Sequence, residues 1–192
     1  MQDNMLIGVI DSGLGGLEVV KRIYNSNERY ILLLDKAFFP YGNKTKEFLL
    51  KRTVYLVDYL LNMKVDKIIL ACNTLSVTCL NFLKTIYNIE IVGVFEPLVK
   101  YFKKGNLFIG TRQTVKYVRE NYDVDCVSVE ALINKIENNY DYQDLLDKYE
   151  RYLFKYYDNV ILGCTHLLKI PTDIISIGVL DQFKEKNKLS EW

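Results

Sequence analysis

Two distant stretches of the chain share one pattern: Ile68-Ile69-Leu70-Ala71-Cys72-Asn73-Thr74 and Val160-Ile161-Leu162-Gly163-Cys164-Thr165-His166. Each passes from a short apolar run through a small residue to a cysteine, and then to side chains that hydrogen-bond. A short run of this kind, apolar at every position, suits a strand covered on both faces. Each repeat therefore sets a thiol just past the end of a strand.

Further runs of the same type complete the pattern. Leu6–Ile10, Tyr30–Leu34, Lys67–Ala71, Glu90–Val94, Leu107–Ile109, Cys126–Val129, Asn159–Leu162 and Ile175–Leu180 read as strands. Between them lie amphipathic stretches. The clearest is Lys44–Asn62, where Phe48, Leu49, Arg52, Tyr55, Leu56, Tyr59 and Leu60 recur at a helical period. Leu17–Asn25, Ser76–Tyr87, Thr114–Asn121, Leu132–Asn138 and Tyr142–Tyr156 are the other expected helices, and Asn138-Asn139-Tyr140-Asp141 reads as a surface turn. Strands alternating with helices predict an α/β fold with mostly parallel sheets. In such sheets ligands bind outside the carboxyl ends of the strands, where both cysteines fall.

Composition narrows the class. Lys+Arg 25 against Asp+Glu 24 leaves a formal charge of +1, without the basic excess of a nucleic-acid or membrane-surface binder. No basic n-region with an apolar h-region opens the sequence, and no apolar run approaches the ~18 residues of a membrane span. A cytoplasmic location is expected. Cys72, Cys79, Cys126 and Cys164 are scattered without a C-x-x-C, so reduced thiols are the default. A single histidine leaves too few ligands for a structural zinc site, and no metal is expected.

Free cysteine is often a small core residue, and Cys79, inside an expected helix, and Cys126, at a strand start, fit that role. Cys72 and Cys164 differ in their doubled polar shoulders. The helix starts expected after such strands carry unpaired N–H groups, which favour a thiolate and bind carboxylates.

Asp11-Ser12-Gly13-Leu14-Gly15-Gly16 follows the first strand. Its glycines let backbone N–H groups approach an anion, or simply make a tight turn. The spacing is neither G-x-G-x-x-G nor a P-loop, so a small carboxylate suits it better than a nucleotide. Asp11 either caps the next helix or assists a base. Pro40-Tyr41-Gly42 after Asp35 marks a turn, with or without a binding role. Thr111 and Thr114 suit capping and ligand binding equally. His166 stands two residues after the second thiol.

Taken in order, Asp11–Gly16, Pro40-Tyr41-Gly42, Ala71–Thr74, Val92-Gly93-Val94-Phe95-Glu96-Pro97, Thr111 with Thr114, and Leu162–His166 resemble the glutamate racemase family over nearly the whole chain. That resemblance implies two similar α/β domains related by a pseudo-two-fold axis, divided as residues 1–94 with 172–192 and residues 95–171, with the active site in the cleft between them. It implies racemisation of glutamate without pyridoxal phosphate, other cofactor or metal, supplying D-glutamate for peptidoglycan. Cys72 would take the proton from D-glutamate and Cys164 from L-glutamate, with Asp11 and His166 assisting. Ser12, Pro40, Tyr41, Gly42, Asn73, Thr74, Thr114 and Thr165 fall on family substrate contacts, and Glu137 loosely matches a further acidic residue. A small-molecule substrate, no nucleic acid and no membrane are the implied partners, and a homodimer is the assembly to test.

The chain departs from the family pattern at Leu75, beside the first thiol, where the pocket is expected to be smaller. It departs also at Leu167-Leu168, at Tyr117, and after Asp181, where the sequence ends within a few residues. The short end is expected to weaken domain closure or alter a subunit interface. Three other readings stay open: an aspartate or related racemase, a non-catalytic binding module, and a thiol redox protein, although the last lacks an adjacent resolving cysteine.

Overall fold

The computed structural model describes residues 4–170. They form two compact units that divide at Val94 and Phe95. The expected strand Ile175–Leu180, Asp181, and the assignment of 172–192 to the first domain lie outside the described residues.

In the first unit, β1 (Leu6–Asp11), β2 (Arg29–Leu34), β3 (Lys67–Leu70) and β4 (Glu90–Gly93) form a parallel sheet in the order β2-β1-β3-β4. Ile7 to Ile10 of β1 pair with Lys67 to Leu70 of β3, so the carboxyl ends of these two inner strands lie side by side. Helices α1 (Gly15–Ile23), α2 (Lys46–Asn62) and α3 (Asn73–Ile86) connect the strands. Thr45 caps α2, its hydroxyl accepting from the Phe48 N–H at 3.2 Å.

The stripe that α2 buries is Leu49, Thr53, Leu56, Val57 and Leu60, at the spacing of one helical face. Tyr55 and Tyr59, expected in that stripe, are exposed at 58% and 45%; their hydroxyls suit the water-facing border of the helix. Helix α3 starts at Asn73 rather than at the expected Ser76. Asn and Thr are poor interior helix formers but are readily placed in a first turn, and Cys72 becomes the residue before the helix. Ser76 then braces the strand ends: its hydroxyl lies 3.2 Å from the Leu70 carbonyl and accepts from the Val94 N–H at 3.2 Å.

The second unit holds β5 (Asn106–Gly110), β6 (Asp125–Ser128) and β7 (Asn159–Gly163), parallel in the order β6-β5-β7. Helix α4 (Arg112–Asn121) follows β5, α5 (Glu130–Glu137) follows β6, and α6 (Gln143–Tyr152) precedes β7. Thr111, not Thr114, occupies the cap of α4, which begins at Arg112, two residues ahead of the expected start. Asn138 to Asp141 form an exposed turn in which Asn139 has φ 55°, a conformation asparagine tolerates. Helix α6 stops at Leu153 (φ −135°, ψ −65°), and a short 3₁₀ turn, Phe154–Tyr156, takes the place of its expected last turn. Phe95, Phe102, Phe108, Tyr117 and Tyr122 gather into an aromatic cluster, with ring centroids as close as 4.9 Å.

Candidate active site

The candidate residues fall into two groups, one in each unit. In the first, Asp11 closes β1 and Cys72 stands two residues past β3, with the Ala71 N–H donating to the Ile10 carbonyl at 2.9 Å. Asp11 is fully buried, and Ser12, Cys72, Asn73 and Thr74 are buried as well. Asp11 Oδ2 accepts from the Gly13 N–H at 2.9 Å and tightens the turn from β1 into α1. Gly16 is required there, since a Cβ at this position would lie 2.6 Å from Asp11 Cβ.

Asn73 is the most informative polar group. It is 97% buried by its 3% relative exposure, yet neither Oδ1 nor Nδ2 has a hydrogen-bond partner among the described residues. A buried amide left unpaired costs about 1–3 kcal/mol, a cost that a polar ligand would remove.

Pro40 follows a cis peptide bond from Phe39 and leads into a 3₁₀ turn, Tyr41–Asn43. Tyr41 and Gly42 are buried, and Tyr41 shares a core cluster with Cys72 and Leu75. Leu75 is fully buried in that cluster, close to the first thiol in the fold. The Tyr41 hydroxyl donates to Asp35 Oδ2, and Arg52 grips the same carboxylate through Nε at 2.8 Å and Nη2 at 2.7 Å. Burial works against the Asp35 charge, but the hydrogen bonds from Arg52 and Tyr41 outweigh it and lower the pKa. Burial, then Asp35, push the Tyr41 phenol far above its ordinary range, so it stays protonated.

In the second unit Cys164 follows β7 directly and opens a 3₁₀ turn, Thr165–Lys169. Its Sγ lies 3.5 Å from His166 Nδ1, and His166 Nε2 lies 2.8 Å from Glu137 Oε2 at the end of α5. Cys164, His166 and Glu137 thus form a buried chain in which a carboxylate fixes the imidazole and the imidazole addresses the thiol. At the neighbouring strand end, where Gly110 pairs with Gly163, Thr111 and Thr114 bring their hydroxyls within 3.0 Å.

The remaining positions take structural places. Leu167 and Leu168 are buried, and Tyr117 joins the aromatic cluster 5.5 Å from Phe95. Cys79 is fully buried beside Thr53, and burial pushes its thiol up to about 11. Cys126 is half-buried, 3.7 Å from the Val115 carbonyl. Among the described residues no helix is long and apolar enough to cross a membrane, and no three or more His, Cys, Asp or Glu side chains cluster as metal ligands.

No protein-family model matches the sequence. Curated relatives do match over most of its length. A glutamate racemase of Fusobacterium nucleatum is 34% identical, the match covering 91% of this chain and 75% of the relative. A glutamate racemase of Clostridium botulinum is 36% identical over 85% of this chain and 71% of the relative. In structure, the glutamate racemase of Francisella tularensis, solved in complex with D-glutamate, aligns with a TM-score of 0.78 at 26% identity, covering 97% of this chain and 81% of that one. Two α/β units, each built on a parallel sheet, together with these matches define an amino-acid racemase. The chain belongs to the glutamate racemase family.

Proposed function

We propose that this protein interconverts L- and D-glutamate by proton exchange at the α-carbon, with Cys72 and Cys164 as the two acid/base groups. The observation that carries this reading is the equivalence of the two thiols: each follows a parallel strand and immediately precedes a helical turn. Inversion needs a base on one face of the substrate and an acid on the other. As a thiolate, Cys72 takes the α-proton of D-glutamate; the C–H electron pair remains on carbon, and the Cys164 thiol delivers its proton to the opposite face. L-Glutamate runs the same path backwards.

Supporting groups differ on the two sides. Asp11, on the strand beside Cys72, assists the first thiol, and His166 held by Glu137 assists the second. The unpaired Asn73 amide offers an acceptor and donors matched to an ammonium and a carboxylate. Ser12, Pro40, Tyr41, Gly42, Thr74, Thr114 and Thr165 complete the substrate contacts in this reading. The product D-glutamate would serve peptidoglycan synthesis in the cytoplasm.

The test is incubation of purified protein with each glutamate enantiomer in deuterated water, followed by chiral chromatography and mass spectrometry, with aspartate run in parallel. Loss of optical purity together with one α-deuterium is the expected result. Folded protein that inverts neither enantiomer refutes the proposal, and faster turnover of aspartate transfers it to that substrate.

A further inference from the structure

We propose that Arg52 is a positioning residue for the reaction, acting through Asp35 on the turn that carries Tyr41 and Gly42. The inference rests on the reading of that turn as part of the substrate site.

Asp35 joins three elements through one residue. Its backbone N–H donates to the Asp11 carbonyl at 2.9 Å, which ties it to the end of β1. Its carboxylate accepts the Tyr41 hydroxyl and two guanidinium N–H groups of Arg52, in the middle of α2. The Asp35 side chain is only 4% exposed, so its charge depends on these donors. Arg52 is itself held in place, its guanidinium lying 4.7 Å from the Phe38 ring centroid and 4.9 Å from that of Tyr55.

This arrangement makes the Tyr41 phenol an anchor. Its proton points at Asp35, so the hydroxyl fixes the turn instead of exchanging protons with a substrate. The backbone of Tyr41 and Gly42 is thereby held in register with Asp11 on the neighbouring strand end. A fork of two parallel N–H donors supplies this rigidity, whereas a lysine would supply charge without the fork. Loss of Arg52 leaves a buried carboxylate with too few donors and releases the turn.

The experiment compares wild type with Arg52→Met, Arg52→Lys and Tyr41→Phe by steady-state racemisation and by amide hydrogen exchange resolved to residues 41–44. Arg52→Met is expected to raise KM for glutamate about tenfold or more while kcat stays within about threefold, the signature of lost ground-state positioning. Exchange at residues 41–44 should accelerate about tenfold or more with β3 and α3 unchanged, since only the local opening is affected. Arg52→Lys should fall between wild type and Arg52→Met. Tyr41→Phe keeps the Asp35–Arg52 pair and should reproduce both effects at smaller size, so it decides the matter if Arg52→Met does not fold.

Unchanged KM in a folded, active variant overturns the inference, as does a fall in kcat and thermal stability with KM intact. Wild type inert on glutamate would refute the functional reading instead. Exchange alone then judges the anchor: acceleration confined to the turn supports it, and an unaltered turn overturns it.

Discussion

Gly163 occupies the small-residue position just before Cys164, and the structure shows why that residue cannot grow. A Cβ there would lie 1.9 Å from Phe108 Cζ, 2.4 Å from Cε2 and 2.6 Å from Cε1. Carbon atoms pack at about 3.5–4.0 Å, so a Gly163→Ala variant demands roughly 2 Å of movement by the ring edge or by the end of β7. Phe108 is fully buried, with Phe95 at 6.2 Å and Phe102 at 5.5 Å between centroids, so the ring has little room to turn. Overpacking typically costs about 1–3 kcal/mol, and three ring atoms inside contact distance put this case near 3 kcal/mol. For a chain of this size that lowers the melting temperature by about 6–12 °C.

The strain also acts on the next residue, Cys164, so racemisation at 20 °C should fall further than the unfolded fraction explains. Phe108→Leu in the Gly163→Ala background removes the clashing ring edge. It should recover at least about 1 kcal/mol relative to the sum of the single changes, measured by urea titration of all four proteins. Additive free energies, or a fully active Gly163→Ala protein with wild-type stability, would refute the packing argument.

Cys72→Ser and Cys164→Ser should each cut racemisation about a hundred- to ten-thousandfold, the range for a lost general acid or base, with circular dichroism unchanged; either variant at full rate removes that thiol from the mechanism. Glu137→Gln leaves His166 without its carboxylate and should lower kcat roughly ten- to a hundredfold with KM little altered; an unchanged kcat sinks the relay. For Cys79, burial raises the thiol from 9.0 to about 11, so above pH 9 the unfolded chain loses a proton that the folded chain keeps. Its stabilising contribution is whole below that range and is lost as pH rises through the folded value. Cys79→Ala lacks this dependence, so the stability gap between wild type and variant should shift in the variant's favour by roughly 2 kcal/mol from pH 8 to pH 11, read from urea midpoints. A gap independent of pH contradicts it.

What the sequence revealed was local. Strands such as Lys67–Leu70 are apolar at nearly every position because a parallel sheet covers both faces, and the cysteine and its polar shoulder follow within a few residues. What it concealed was pairing across the chain. Arg52 falls at a helical spacing that resembles the apolar stripe, yet it serves Asp35, 17 residues away. A charged residue at a stripe position was the available signal, because such a group must find a partner. Glu137 reaches His166 across 29 residues, and only the end of α5 meeting the turn after β7 brings them together. The unpaired amide of Asn73 had no sequence signal at all, since satisfaction of a polar group depends on every neighbour the fold supplies.

The two thiols stand in matching places but rest on unlike supports: Cys72 beside a buried Asp11 and an unpaired Asn73, Cys164 beside a His166–Glu137 pair. This asymmetry cannot favour one enantiomer at equilibrium. Enantiomers have equal free energies in water, so in the proposed reaction kcat/KM must be the same for L- and D-glutamate in the wild type and in every variant. A change confined to either support therefore lowers both values of kcat/KM together. It can separate the two directions only by moving kcat and KM in step, or by letting the α-proton exchange with solvent on one face faster than inversion occurs. In the proposed mechanism Glu137→Gln impairs the face that Cys164 would serve. D-Glutamate in deuterated water should then gain α-deuterium with retention, through Cys72 alone, faster than it inverts. Deuterium uptake that never exceeds inversion from either enantiomer would mean that the His166–Glu137 pair serves both faces, and the assignment of one support to one thiol would fall.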